Sequence, residues 1–412
     1  MTQHPTAGSR YASLTRDELA TLVPELLLIG QLIDRSGMAW CISAFGREQM
    51  AQVAIEEWMG ASPIYTLRMQ KALRYEGTDI HTIFKGLQLD IGAPPQFMDF
   101  RYTIHDRWSG EFHLDLCGAL MDVEPMGPEY VRSMCHDIED PTFDATAVAT
   151  NAKAQIRPIH RPPRMPENRN PHCAWTVIID ESYPEVVESE DCTALRGSRA
   201  ALTELAPIDG TQDGRADYSG DVLADLDFSE FSHSALVRIA DEVCLQMHLL
   251  NLSFLRAIDR RTEADGYLDI ATKQLTGLAG IAAGRIRAAL DLPADETGAL
   301  RVLELHPLLN PAAYVTASVE DGAVRVVHGP AHHDGTWIAI VGPDRVAPLQ
   351  ALVRAVDPHL DVEVTGTEET WTARVVRRSE AAPEAGEVAV TKFSTGAAFA
   401  FEHRKAIPLT VL

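Results

Sequence analysis

Leu19–Ser36 reads LATLVPELLLIGQLIDRS, and Leu236–Ser253, 217 residues further on, reads LVRIADEVCLQMHLLNLS. In the first stretch Leu19, Leu22, Val23, Leu26, Ile29, Leu32 and Ile33 recur at the i, i+3, i+4, i+7 spacing of an amphipathic helix. Thr15-Arg16-Asp17-Glu18 before it is a cap with acids in the first turn. Held at that offset, the chain matches itself without gaps from Leu19 to Leu73. The identities are Leu19/Leu236, Glu25/Glu242, Leu28/Leu245, Leu32/Leu249, Ser36/Ser253, Ala54/Ala271, Gly60/Gly277, Ile64/Ile281, Arg68/Arg285, Ala72/Ala289 and Leu73/Leu290. That is 11 of 55 positions, where an ordinary composition gives about 7% by chance.

Later features recur in the same order. A two-strand pattern follows each helical block, at Phe100–Cys117 and Ala313–His328. A helical segment comes next, Pro128–Asp137 and Arg345–Val356, and each half closes on a strand carrying Trp-Thr, at Trp175-Thr176 and Trp371-Thr372. The expected fold is therefore α+β: two tandem copies of a module with helices first and an antiparallel sheet after, the second copy degenerate. The expected division is a first domain over 14–180, an acidic linker over 181–229, a degenerate repeat over 230–378 and a tail over 379–412. Within the first copy, helices are predicted over Gly46–Trp58 and Ile64–Tyr75, split at Gly60-Ala61-Ser62-Pro63, and over Thr78–Leu87. Strands follow from Phe97, turning at Ser109-Gly110, with His113, Asp115 and Cys117 on the face opposite Phe112, Leu114 and Leu116. One short helix is expected near Cys192–Leu205, and one or two strands in Val388–Leu412.

Composition narrows the partners. The chain has 412 residues, with 36 Lys and Arg against 59 Asp and Glu, a formal charge of −23. Such a charge repels nucleic acid and a polybasic mode of membrane binding. The most apolar early run, Leu22–Ile33, is too short for a span of about 20 residues, so no membrane partner is expected. Met1–Ser13 lacks the pattern of a secretory signal and reads as a short disordered leader. A cytoplasmic protein acting on a small molecule is expected, with a homodimer open. Its six cysteines then read as thiols or ligands rather than disulfides.

Reactive side chains concentrate late in the first copy. Cys117 ends a strand, Cys135 and His136 end a helix before Asp137, His160 lies in a strand-to-loop stretch, and His172-Cys173 start the next strand. Three thiols and three imidazoles on separate elements suit a tetrahedral metal site, zinc ahead of iron. The preferred ligands are Cys117, Cys135, His160 and Cys173, with His136 or His172 able to replace one. The second copy has Glu368 and Glu369 in place of His172 and Cys173, Asp357 near Cys135 and His328 near Cys117. His332-His333-Asp334 is a lesser candidate site there. Arg157, Arg161, Arg164 and Arg169 form a basic cluster. It would hold an anionic substrate or pair with Glu124, Glu139 and Asp140. No dinucleotide, phosphate-loop, nucleophile-elbow or His-Glu-x-x-His motif is present.

The order of a helix ending near Asp34–Trp40, Phe45-Gly46-Arg47-Glu48 to Trp58, then Cys117, Cys135, Arg161-Pro162-Pro163 and Pro171-His172-Cys173-Ala174-Trp175 resembles the L-2-amino-thiazoline-4-carboxylate hydrolase-like family. It covers about residues 15–180, and weakly 230–378 through the repeat. More distantly it is similar to zinc-binding vinyl-reductase-like sensor domains. The matching positions are Cys117, Cys135 and Cys173; His160 stands where related bacterial proteins often have another Cys. The resemblance implies cleavage of a cyclic or amide C–N bond.

Two functions follow as expectations. The first is a metal-dependent hydrolase, with His136, Asp137 and His172 as catalytic acid–base candidates and Arg161 and Arg164 binding a substrate carboxylate. A metal-free version would use Cys173 as a thiolate beside His172 or His160. The second is a small-molecule sensor with a structural zinc, its pocket drawn from Trp40, Trp58, Phe84 and Trp108.

Overall fold

The computed structural model describes residues 8–402 and 410–411. The first half runs α1 (Arg16–Phe45), α2 (Arg47–Ala72), α3 (Ile80–Leu87), β1 (Met98–Ile104), β2 (Ser109–Cys117), α4 (Gly118–Val123), α5 (Pro128–Arg132), a π-helical turn (Ser133–Ile138), α6 (Glu139–Val148), β3 (Ala154–His160) and β4 (Cys173–Ile179). The connection carries α7 (Glu190–Leu195) and α8 (Arg199–Leu202). The second half runs α9 (His233–Asp259), α10 (Tyr267–Ala289), α11 (Glu296–Leu305), β5 (Ala317–Glu320), β6 (Ala323–Val326), α12 (Pro330–Asp334), α13 (Trp337–Ile340), α14 (Ala347–Val356), β7 (Leu360–Gly366) and β8 (Trp371–Arg377). α15 (Gly386–Thr391) and β9 (Thr410–Val411) follow.

The fold is α+β and built from the same module twice. Four antiparallel strands lie in the order β3-β4-β2-β1, and four more in the order β7-β8-β6-β5. These are the same topology in chain order. β9 adds a short parallel edge to β1. The second copy has the shorter first hairpin, closed by Asp321-Gly322 with both residues at positive φ.

The matched residues explain how the copies meet. α1 packs on α9 and α10, and α2 packs on α9, so helices from both halves share one core. Arg285 donates to Glu25 (2.6 Å), and Arg68 donates to Glu242 (2.9 Å). These are the same two repeat positions, exchanged between copies. A Cβ at Gly60 would collide with Ser253 Oγ, and one at Gly277 with Ser36 Oγ. The small residues thus let the helices approach, while each serine donates across the interface: Ser36 to Gln274 O (2.7 Å) and Ser253 to Glu56 O (2.8 Å). Four of the eleven identities are this interface, which has pseudo-twofold symmetry.

Several local expectations change. α2 is one helix, and Gly60-Ala61-Ser62-Pro63 lies inside it. Pro63 cannot donate to Met59 O, but Ser189 Oγ does so instead (3.3 Å). The first hairpin turns earlier than Ser109-Gly110: Asp106 Oδ1 accepts from Trp108 N (2.6 Å) and Ser109 N (2.9 Å). The leader is anchored from Ser9 onward. Tyr11 is fully buried and its hydroxyl donates to Leu305 O (2.9 Å). Residues 1–7 lie outside the described residues. The tail forms the helix α15 where strands were expected, although β9 is a strand; residues 403–409 and 412 lie outside the described residues. No helix among the described residues is long and apolar enough to cross a membrane.

Candidate functional site

A β-bulge sets the site. Leu114 pairs with Phe100, but Cys117 pairs with Met98, so β2 carries one residue more than β1 between these rungs. An extra residue exchanges the faces that side chains point to. Cys117 therefore leaves the face of His113 and Asp115, where simple alternation puts it, and is buried with the core. His172 sits in the bulge. Its N–H donates to Leu114 O (2.8 Å) and its Nδ1 accepts from Cys117 N (3.2 Å). The His172 imidazole is thus neutral with its proton on Nε2, and burial lowers its pKa further. It fixes the strand; it is the one catalytic candidate committed to the backbone in this way.

Cys135 is placed by the π-helical turn, and Cys173 opens β4 opposite Leu114. π-turns tend to mark functional sites. The structure brings Cys117, Cys135 and Cys173 together, each buried and each within electrostatic reach of Glu139. Burial is the main cause that raises all three thiols, and the Glu139 charge adds to it; Cys117 is pushed up to about 12. These are neutral thiols at pH 7, opposite to the direction a thiolate nucleophile needs. Cys117 Sγ also accepts from Leu120 N (3.4 Å), capping α4.

His160 is on the other side. It pairs with Ala174, which pairs with His113, so these three share the outer face. Among the described residues no three His, Cys, Asp or Glu side chains are placed to hold a metal ion. As arranged, Cys117, Cys135, His160 and Cys173 do not form one coordination sphere, and no chemical step is derived through a metal.

The remaining candidates have defined places. His136 Nε2 donates to Pro162 O (2.7 Å), tying the π-turn to the proline-rich loop. Asp137 is exposed. Arg161 is bonded to Asp140 and lies over the Trp175 ring, 5.8 Å from its centroid. Arg164 makes a two-pronged contact with Glu124 (2.8 and 2.7 Å), and Arg157 binds Asp144 (2.9 Å). The guanidinium groups of Arg157, Arg161 and Arg164 are spent on neighbouring carboxylates. Trp58 lines a cavity, Phe84 packs in the core against Tyr102, Trp40 lies beneath Lys273 and Trp108 is exposed at the hairpin.

Beside the cysteines the first half is hollow, and residues of the C-terminal tail close part of the hollow. A cavity of about 90 Å³ is lined by Gln31, Arg35, Trp58, Tyr65, Asp90, Met134, Ile138 and Glu139 among others. It meets a second pocket of about 510 Å³ at Arg35, Met134 and Ile138. The larger pocket is mostly apolar and rich in methionine: Met38, Met50, Met121, Met126 and Met134, with Tyr130 and Phe393. Arg35 is bonded to Asp34, yet its Nε is buried without a partner. Glu139 Oε2, Gln31 Oε1, Asp34 Oδ1 and both oxygens of Glu57 are likewise buried and unpaired. Burial pushes Glu139 up to about 8, with the Asp140 charge adding to it. Burial, then the Asp34 charge, raises Glu57 well above the usual carboxylate range. Asp90 accepts from Tyr65 OH (2.9 Å) and Gly92 N (2.7 Å) and is pushed by burial to about 6.

Arg35, Glu57 and Asp90 were not among the residues singled out from sequence. The signal was present: Gln31, Asp34 and Arg35 interrupt the apolar stripe of α1 at i, i+3 and i+4. No protein-family model matches this chain, and no curated protein or solved structure is detectably similar to it.

Proposed function

We propose that the first half binds a small molecule with an apolar body and an anionic head. The apolar pocket takes the body, and Arg35 at the junction with the polar cavity receives the head. The observation that carries this reading is that junction: one buried guanidinium with an unpaired Nε, between an apolar pocket of about 510 Å³ and a cavity lined by Asp90 and by Glu139, whose Oε2 is unpaired. The volume falls in the range of sites for small ligands, about 300–1,000 Å³, and the mix of apolar wall and few polar groups is usual for them. Methionine side chains suit a wall that adapts to its ligand.

A hydrolytic reading is favoured by one group. In that reading Glu139, lining the polar cavity and held protonated near neutral pH, donates its proton to the leaving nitrogen while a solvent water attacks the carbon and the C–N bond breaks; the water's proton returns to Glu139. In this reading Glu139 takes the acid role that the sequence suggested for His136, Asp137 or His172.

The test uses octanoate, 4-phenylbutyrate and indole-3-acetate as probes, with the corresponding amides. Carboxylates are expected to raise the melting temperature of the wild type and amides to do so less. Arg35→Met is expected to abolish that difference. Equal shifts in wild type and variant, or none with any probe, would remove Arg35 as the anchor. For the hydrolytic reading, turnover of a cyclic amidine carboxylate should be lost in Glu139→Gln while probe binding persists.

A further inference from the structure

We propose that the second half carries a surface site for a divalent transition metal, with His328 and His333 as its first two ligands. Their Nε2 atoms lie 3.3 Å apart. Two imidazoles on one tetrahedral ion, at metal–nitrogen distances of about 2.0–2.1 Å, place their nitrogens about 3.3–3.4 Å apart. The pair is therefore already at the separation that a shared ion requires.

The backbone holds them there. His328 follows β6, and Gly329-Pro330 opens α12, so His333 returns beside it one helical turn later. Gly329 rests against Thr316, where a Cβ would collide with Oγ1, and Val327 N donates to Thr316 O (3.0 Å). Gly335, at φ +79°, ends α12 in a left-handed cap.

Two further groups point to a ligand. Behind His328, Glu369 Oε2 lies 3.7 Å from Nδ1, longer than a hydrogen bond; a shift of under about 1 Å would make the carboxylate–imidazole bond that orients metal-binding histidines. His332 stacks on His328 with ring centroids 5.3 Å apart, and both its ring nitrogens are buried without a hydrogen-bond partner. A turn about its side-chain bonds offers a third imidazole. Asp334 is not part of the set, since its carboxylate accepts from Arg199 N (3.0 Å), Ala200 N (2.9 Å) and Tyr314 OH (2.8 Å). Imidazole donors select zinc, nickel, copper or cobalt over calcium or magnesium. His328 and His333 are exposed, so an ion has access.

Untagged full-length protein, stripped with chelator, would be titrated with ZnCl₂ by calorimetry and with CoCl₂ by absorbance. One ion per chain is expected at this site, without the near-ultraviolet thiolate band that cysteine ligands give. His328→Ala and His333→Ala should each weaken binding at least about tenfold, and Glu369→Gln about tenfold. The Cys117→Ser, Cys135→Ser and Cys173→Ser variants should leave it unchanged. No binding up to millimolar zinc, or binding indifferent to both histidine substitutions, would overturn the proposal. The two rings would then be only hydrogen-bonded to each other. Circular dichroism of each variant separates loss of the site from loss of the fold.

Discussion

The two halves place the same helices around different interiors. In the first, Gln31 lines a cavity, and Asp34 Oδ1 and both oxygens of Glu57 are buried without a partner. At the matching positions the second has His248, Asn251 and Gln274. Asn251 Nδ2 donates to Gln274 Oε1 (3.4 Å), so an amide pair replaces an acid pair. His248 is fully buried; its Nε2 donates to Asn310 O (2.8 Å), and its ring packs 5.0 Å from both Tyr314 and Trp337. Burial holds that imidazole neutral, down to about 4. At these positions one copy carries an imidazole and two amides, where the other carries an amide and two acids beside a cavity. Buried unpaired carboxylates cost stability, and a fold retains them where they serve a site. The second copy shows that the scaffold itself does not need them.

The largest effect is expected where the copies meet. Arg285 binds Glu25 and also donates to Gly396 O (3.1 Å), Ala397 O (3.1 Å) and Phe399 O (2.7 Å). Arg285→Met should cost about 3–5 kcal/mol in denaturant unfolding, because it leaves a half-buried acid and three carbonyls unpaired. Arg68→Met, its mate by symmetry, should cost less: Glu242 keeps Arg238 (2.9 Å). Arg68 also donates to Ala201 O (2.8 Å) and Thr203 O (3.0 Å), so equal costs would mean that Arg238 does not offset the loss of Arg68 at Glu242.

A smaller effect tests the continuity of α2. Ser189→Ala removes the donor to Met59 O and should cost about 0.5–1.5 kcal/mol. Pro63→Ala restores a backbone N–H for that carbonyl, so the double variant should recover that part of the loss, while the cap that Ser189 Oγ gives α7 by accepting from Cys192 N (3.1 Å) stays lost. Non-additivity of this kind is read from a double-mutant cycle.

The smallest effect concerns the thiols. All six cysteines are free and buried. A thiol reagent should label none quickly in the native protein and all six after unfolding. Rapid labelling of Cys135 or Cys173 in the native state would instead revive a reactive thiolate in the first half.

The duplication and the α+β class were legible because helical period, Trp-Thr strands and turn residues recur in order. The helix α1 was legible from its apolar stripe. Cys117 was misplaced because a single bulge residue exchanges two faces, and strand alternation carries no sign of a bulge. The break expected at Pro63 failed because its unpaired carbonyl is met by Ser189, which is distant in sequence. The acids of the first half lay within the same self-comparison that revealed the repeat. Identities identify the interface; the hollow is written in the differences, Asp34 against Asn251 and Glu57 against Gln274.

The pH dependence of stability tests this contrast most directly. An acid whose pKa is raised by folding stabilises fully below its unfolded value, about 4.3 for Glu. That contribution is lost as pH rises toward the folded value, at up to about 1.4 kcal/mol per pH unit for each such group. The buried imidazoles of His248 and His306, held neutral by burial, act in the opposite sense below about pH 6.5; above it, wild-type stability is expected to fall toward pH 8, with Glu57 and Glu139 both contributing. Asp34→Asn with Glu57→Gln, which gives the first half the amide pair of the second, should make the decline shallower and raise stability at pH 8. A decline of unchanged slope in that double variant would contradict the account of a first half that carries buried acids its own scaffold does not require.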